Sequence, residues 1–409
     1  MEKIRGQVYH CTRCAGCLPP CPTYAATGEE ALSARGRLVL VEAVLEGKLG
    51  LTPGLERRLY ECLLCGACAA ACPSGVDVPE VILAMRAEVA RPGNRRLTRA
   101  AARGLAGAGD GFFFHVMRNP SVRRRLLGIG ARARSHVFPR LSPRSLEDVI
   151  PKTTRIKNAS RRVALFPGCA TSLFFQQTAE AAVRVLGRGG IEVTFPRGLA
   201  CCGLPLRSLG DAAAAESLTR HNLELLARTG ADAAVTVCSS CAAALGKAVV
   251  ETPSAPPVMD IHALLAETGA ADRVAPDRAK RPPERFRSGP GRERVTWHDP
   301  CHLGRDLGIT QEPREIIAAL PGVEYVEAGR LKCCGGGGLF SLWHYDLALK
   351  IGLPRAEELA ATGARLVATG CPGCRIQLQD MLGRLDPGIR VVHPVELLDG
   401  RFDARPHPG

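Results

Sequence analysis

Two cysteine runs constrain this chain more than anything else in it. Cys11-x2-Cys14-x2-Cys17-x3-Cys21-Pro22 and Cys62-x2-Cys65-x2-Cys68-x3-Cys72-Pro73 have the same spacing. In this spacing three thiolates wrap one corner of a [4Fe-4S] cube, and where two runs occur together the last cysteine of each serves the other cluster. The expected ligand sets are therefore Cys11, Cys14, Cys17 and Cys72 for one cluster, and Cys62, Cys65, Cys68 and Cys21 for its partner. Structural zinc also takes four thiolates, but usually from two CxxC knuckles, without a third cysteine at this spacing or a proline after the fourth.

The other ten cysteines form a repeat. Cys169, Cys201, Cys202, Cys238 and Cys241 recur as Cys301, Cys333, Cys334, Cys371 and Cys374, offset by 132 residues for the first three and 133 for the last two. Around them short aliphatic runs alternate with longer helical patterns. Strands are expected at Val163 to Phe166, Ile191 to Phe195 and Ala233 to Val237, with helices through Ala179 to Leu186 and Ala212 to Ala227. A βαβαβ order of this kind makes a largely parallel sheet with right-handed crossovers. Each cysteine position falls at or just after a strand's C-terminal end, the edge where open parallel sheets bind ligands. Five thiolates per repeat are thus expected to converge on one crevice.

Adjacent cysteines limit what the crevice holds. Their Cα atoms are about 3.8 Å apart and their side chains diverge, so they suit different irons of a cluster better than one tetrahedral ion. Gly203 and Gly335 follow the pairs, where a side chain would crowd a ligand or the backbone needs a positive φ. A metal cluster, zinc on four of the five thiolates, and CxxC or vicinal thiol redox chemistry all fit the residues at this point. His298 and His302 flank Cys301 in the second copy, as hydrogen-bonding groups or proton donors, whereas the first copy has Phe166 and Ala170 there.

Charge and composition exclude other classes. The net charge of +14 would suit nucleic acid, but Arg91 to Arg162 carry 18 Lys+Arg against 3 Asp+Glu, and the rest of the chain is close to neutral. Only 4% of residues are aromatic, too few for base-stacking platforms, so no nucleic-acid partner is expected. The start, MEKIRGQVYHC, lacks an apolar signal core, and no apolar run approaches the roughly 20 residues of a membrane span. With 18 cysteines in a chain of 409 residues, the expected setting is reducing and cytoplasmic, with the basic segment meeting a partner or the inner face of a membrane. No GxGxxG follows a strand and no P-loop is present, which places a flavin or nicotinamide domain on another chain.

The expected organisation is multidomain: an α-helical ferredoxin domain (1–90), a basic helical connector (91–160), and two repeated α/β parallel-sheet units (161–270 and 295–409) joined by a linker (271–294). This arrangement, with Cys21-Pro22-Thr23-Tyr24 and Ala34-Arg35-Gly36-Arg37, resembles the iron-sulfur subunit of glycolate oxidase. The second unit, with His298-Asp299-Pro300-Cys301-His302-Leu303-Gly304-Arg305 and Gly370-Cys371-Pro372-Gly373-Cys374, is similar to the related iron-sulfur subunit of heterodisulfide reductase. The first resemblance implies a relay that takes electrons from flavoprotein subunits oxidising glycolate, D-lactate or a similar 2-hydroxy acid and passes them towards quinone or another carrier. The second implies two further non-cubane [4Fe-4S] clusters in the repeated CCG units, one of them a site of disulfide cleavage. Glycolate oxidase subunits often lack some cysteines of the last pairs, and this chain keeps all ten. A thiol- or zinc-based redox sensor is a third, less favoured class.

Overall fold

In the computed structural model, residues 2–90, 139–250, 252–274 and 292–400 are described. The basic run 91–138 and most of the linker, 275–291, lie outside them. The first 90 residues are helical, with segments at Glu2–Tyr9, Pro22–Thr27, Ala34–Leu45, Pro53–Tyr60, Ala67–Ala70 and Val78–Val89. Their boundaries follow from capping chemistry. Pro22 starts a helix directly after Cys21, where a missing N–H costs nothing. Ser33, Thr52 and Asp77 each accept from a first-turn amide. The helix expected from Ala31 therefore begins at Ala34, after a 3-10 turn at Glu30–Leu32. Val41, Leu59, Val81, Ile82 and Met85 fill the core of this domain, all fully buried.

The two repeats are open sheets. The first contains β1 (Thr153–Thr154), β2 (Arg161–Phe166), β3 (Ile191–Thr194), β4 (Ala233–Thr236) and β5 (Val258–Asp260), in the order β1-β3-β2-β4-β5. The second contains β6 (Glu293–Trp297), β7 (Val323–Val326), β8 (Leu366–Ala368) and β9 (Arg390–Val392), in the order β7-β6-β8-β9. All pairs are parallel except β1 with β3, which is antiparallel and comes from the end of the stretch read as a connector. Crossovers leave the adjacent strands β2 and β4 in opposite directions, so a crevice opens at their C-terminal ends; β6 and β8 repeat this switch point.

The units pack against each other reciprocally. Helix Gln176–Arg188 of the first lies on Pro394–Asp399 of the second, and helix Ile261–Thr268 of the first lies on Glu312–Ala318 of the second. Each contact joins equivalent elements in swapped roles, the relation that a two-fold axis produces. Apolar side chains of both units, among them Phe166, Leu186, Trp297 and Leu397, form one continuous core. At the seam the rings of His262 and His393 stack with centroids 5.1 Å apart, and Arg375 pairs with Glu396 at 2.5 Å among fully buried neighbours. No helix among the described residues is long and apolar enough to cross a membrane.

Candidate metal centres

The helical domain holds two cysteine-lined cavities. One, of about 370 Å³, is lined by Cys11, Cys14, Cys17 and Cys72, with Cys68 also at its wall. The other, of about 350 Å³, is lined by Cys21, Cys62, Cys65 and Cys68. The last cysteine of each motif therefore stands at the cavity of the other motif. Around the middle cysteine of each motif the backbone turns left-handed: Arg13 and Ala15 have φ of 57° and 66°, and the equivalent Leu64 and Gly66 have 56° and 72°. Three of these four carry side chains, and such conformations persist only where the surroundings over-determine them. Alternating left- and right-handed residues turn successive amides towards a concavity that suits an anion.

Two buried arginines frame the second cavity. Arg37, 1% exposed, donates from Nε to the Arg58 carbonyl (2.7 Å) and from its terminal nitrogens to the carbonyls of Leu32 (2.6 Å) and Glu61 (2.8 Å). Arg86 donates to the carbonyls of Leu59 (2.7 Å), Cys62 (2.6 Å) and, in the first cysteine-rich unit, Ser208 (2.8 Å). Burial lowers its pKa to about 10, which leaves the guanidinium charged at neutral pH beside the cysteine loop. Tyr60 adds a hydroxyl bond to the Leu209 carbonyl, and Arg207 pairs with Glu80 at 2.8 Å. On the other side Arg305 of the second unit donates to the Cys65 carbonyl at 2.9 Å, and Leu63 packs with Phe340, Ala348 and Ile351. The helical domain thus bridges both units.

In each unit the five cysteines gather at the strand ends. Cys169 and Cys201 have sulfurs 3.7 Å apart. Contacts between thiols run on from Cys201 to Cys202, Cys202 to Cys241 and Cys241 to Cys238. In the second unit they run from Cys333 to Cys334, Cys334 to Cys374 and Cys374 to Cys371. Two further contacts join the groups: Cys238 meets its counterpart Cys371 on the two-fold, and Cys333 meets Cys65 of the helical domain. Cys301 stands beside Cys65, Cys333 and Cys371.

Crowding and burial set the protonation of these thiols. The neighbouring Cys333 thiol, with burial next, pushes Cys65 up, and burial raises Cys68 and pushes Cys301 up to about 12. The second cysteine of each adjacent pair goes the other way. Cys202 falls well below the ordinary thiol value because Cys201 and Cys241 donate to it, and Cys334 falls to about 5 because Cys333 and Cys374 do the same. Buried thiolates gathered this closely need a cationic centre to be ionised together, and a metal site supplies one.

The adjacent pairs owe their shape to the following glycine. Gly203 has φ of 86° and Gly335 of 81°; a Cβ at either would lie 2.6 Å from a helix carbonyl, that of Ala215 or Ala348. The crowding comes from the helix packed behind the loop, with a positive φ added to it. Replacing Gly335 with alanine is expected to cost at least about 1–3 kcal/mol and to displace Cys333 and Cys334. A lower melting temperature with selective loss of metal from the second unit would show both effects.

Of the histidines, His298 is fully buried, and burial followed by Arg355 beside it pushes its pKa down to about 3. A ring nitrogen of His298 and the sulfurs of Cys334 and Cys374 lie within 4.8 Å of one another. His302 opens a single π-helical turn, His302–Asp306, a form of irregularity frequent at functional sites. Its Nδ1 lies 3.0 Å from Ser240 Oγ of the first unit, and that hydroxyl lies 3.4 Å from Cys371 Sγ. Sequence reasoning named the histidines and missed Ser240; the available signal was the difference between Cys238-Ser239-Ser240-Cys241 and Cys371-Pro372-Gly373-Cys374. It also missed Arg86 and Arg305, whose acceptors lie in other domains.

Family models agree with this division. A 4Fe-4S dicluster domain matches residues 7–76, and a cysteine-rich domain, CCG, matches twice, at 163–246 and 295–379. Similar proteins include an iron-sulfur-type subunit of the fumarate reductase (CoM/CoB) of Methanothermobacter marburgensis, 29% identical over 97% of this chain and 72% of that protein. The probable glycolate oxidase iron-sulfur subunit of Bacillus subtilis is 28% identical over 96% of this chain and 94% of its own length. A subunit of the dihydromethanophenazine:CoB–CoM heterodisulfide reductase of Methanosarcina barkeri is 27% identical over 95% and 92%.

Proposed function

Because this chain belongs to the family of iron-sulfur redox subunits that join a 4Fe-4S dicluster domain to two CCG domains, as in those of glycolate oxidase and heterodisulfide reductase, we propose that it wires a flavoprotein dehydrogenase to an electron acceptor. The partner oxidises a 2-hydroxy acid of the glycolate or D-lactate type, and the acceptor is quinone or another carrier. Cys11, Cys14, Cys17 and Cys72 hold one [4Fe-4S] cluster, and Cys62, Cys65, Cys68 and Cys21 hold the other. The five cysteines of each CCG unit hold one more. Iron-sulfur clusters at these positions supply one-electron steps between closely spaced centres.

The observation that carries this reading is the unbroken line of thiol contacts from Cys65 through Cys333 and Cys371 to Cys238. It gives the cysteine sets an order: first cavity, second cavity, second CCG unit, first CCG unit. The chain's own side chains keep that order rigid, since Arg86 and Arg305 tie the carbonyls of Cys62 and Cys65 to the two units. One observation favours a second reading, reduction of a disulfide at a CCG site: both units keep all five cysteines and meet at Cys238 and Cys371, more than a passive relay requires.

The complex isolated anaerobically from native cells tests the two against each other. The relay reading expects bound flavin, and cluster EPR signals that develop on adding glycolate or D-lactate. Absence of flavin, with prereduced clusters reoxidised by an organic disulfide, would reject it in favour of the reductase.

A further inference from the structure

We propose that the two CCG sites, alike in their cysteines, are held at different reduction potentials by a hydrogen bond that crosses their two-fold in one direction only, from Ser240 of the first unit to Cys371 of the second. The second site is thereby the more easily reduced. The inference rests on the proposed function, in which these cysteines hold clusters.

The direction of the bond follows from the acceptor. A ligating thiolate carries no proton, so across the 3.4 Å between Ser240 Oγ and Cys371 Sγ the hydroxyl is the donor. Ser240 then accepts at its own oxygen, and the group 3.0 Å away is His302 Nδ1, which must carry the proton. His302 therefore donates to Ser240, and Ser240 to Cys371.

The reciprocal path is missing. The offset of 133 residues puts Gly373 opposite Ser240, and that of 132 puts Ala170 opposite His302, so Cys238 receives no such donor from the second unit. His298 adds to the imbalance. Its Nδ1 accepts from Arg355 Nε at 3.4 Å, which leaves the ring proton on Nε2 and makes this imidazole a donor and not a ligand. Its counterpart is Phe166, with nothing to donate. Reduction adds negative charge to a cluster and its sulfurs, so donors aimed at the sulfurs favour the reduced state. At a buried site this effect is poorly screened.

The test is an EPR-monitored redox titration of the full chain prepared anaerobically, with the second-unit signal identified by its loss in Cys333→Ser. Ser240→Ala is expected to keep its iron and to lower the reduced-to-oxidised ratio of the second CCG site about tenfold at a fixed poise, or about 59 mV for one electron. The other signals should stay in place. Ser240→Thr, which keeps the hydroxyl, should restore the ratio. Full iron with an unshifted second-site potential in Ser240→Ala would overturn the proposal, as would an equal shift in the alanine and threonine variants, which points to packing alone. About 8 irons in the native chain would instead overturn the reading that the CCG cysteines hold clusters.

Discussion

Replacing Cys21 with serine is expected to empty the site of the other motif, that of Cys62, Cys65 and Cys68, and to leave the Cys11, Cys14 and Cys17 site filled. The reason is the placement of Cys21: it stands at the second cavity, buried at the start of helix Pro22–Thr27, with its sulfur 3.3 Å from the Thr23 hydroxyl. The expected loss is about 4 irons per chain, with the EPR signal of one cubane gone and the other kept. Cys72→Ser should do the converse, since Cys72 stands at the first cavity. If each motif served its own cluster, the two variants would exchange phenotypes. Iron analysis paired with low-temperature EPR separates these outcomes.

Arg37→Leu is expected to unfold the helical domain. The arginine reaches three backbone carbonyls from three chain segments, and those acceptors are buried. A leucine fills part of the volume and donates nothing, and each stranded carbonyl costs about 1–3 kcal/mol. The sum, about 3–5 kcal/mol once partial relaxation is allowed, is a large part of the total stability of a small domain, about 5–15 kcal/mol. Lysine does not rescue the site, because one ammonium cannot span three acceptors that a planar guanidinium reaches. The variant should lose both cubane signals together and keep a folded far-UV signature from the two α/β units. Retention of both cubanes with an unchanged melting temperature would show that the three carbonyl bonds do not hold the domain.

Much of this architecture was legible in the chain because it is local. The motif spacing names its ligands without reference to the rest of the protein, and alternation of short aliphatic runs with helical patterns located β2, β3 and β4 to within a residue or two at each end. Repetition of the cysteines at a constant offset then carried the same fold to the second unit. Local signals stop at the packing between units. Ser240 is a polar residue in the first turn of a helix until His302 and Cys371 arrive from 62 and 131 residues away. Arg305 reaches the Cys65 carbonyl across 240 residues. β1 was hidden for a different reason: two threonines make no pattern, and only pairing with β3 makes them a strand.

The asymmetry between the units is of the same kind. In sequence, serine against glycine and histidine against alanine are small differences inside a strong repeat. They gain meaning when the fold sets the two crevices face to face, because then a side chain of one unit acts on a sulfur of the other.

Metal analysis of the chain purified under strict anaerobiosis tests the central claim most directly, since electron transfer through this protein depends on iron at the cysteine sets. The expected result is about 16 irons per chain with matching acid-labile sulfide and negligible zinc. Stoichiometric zinc with little iron would contradict it.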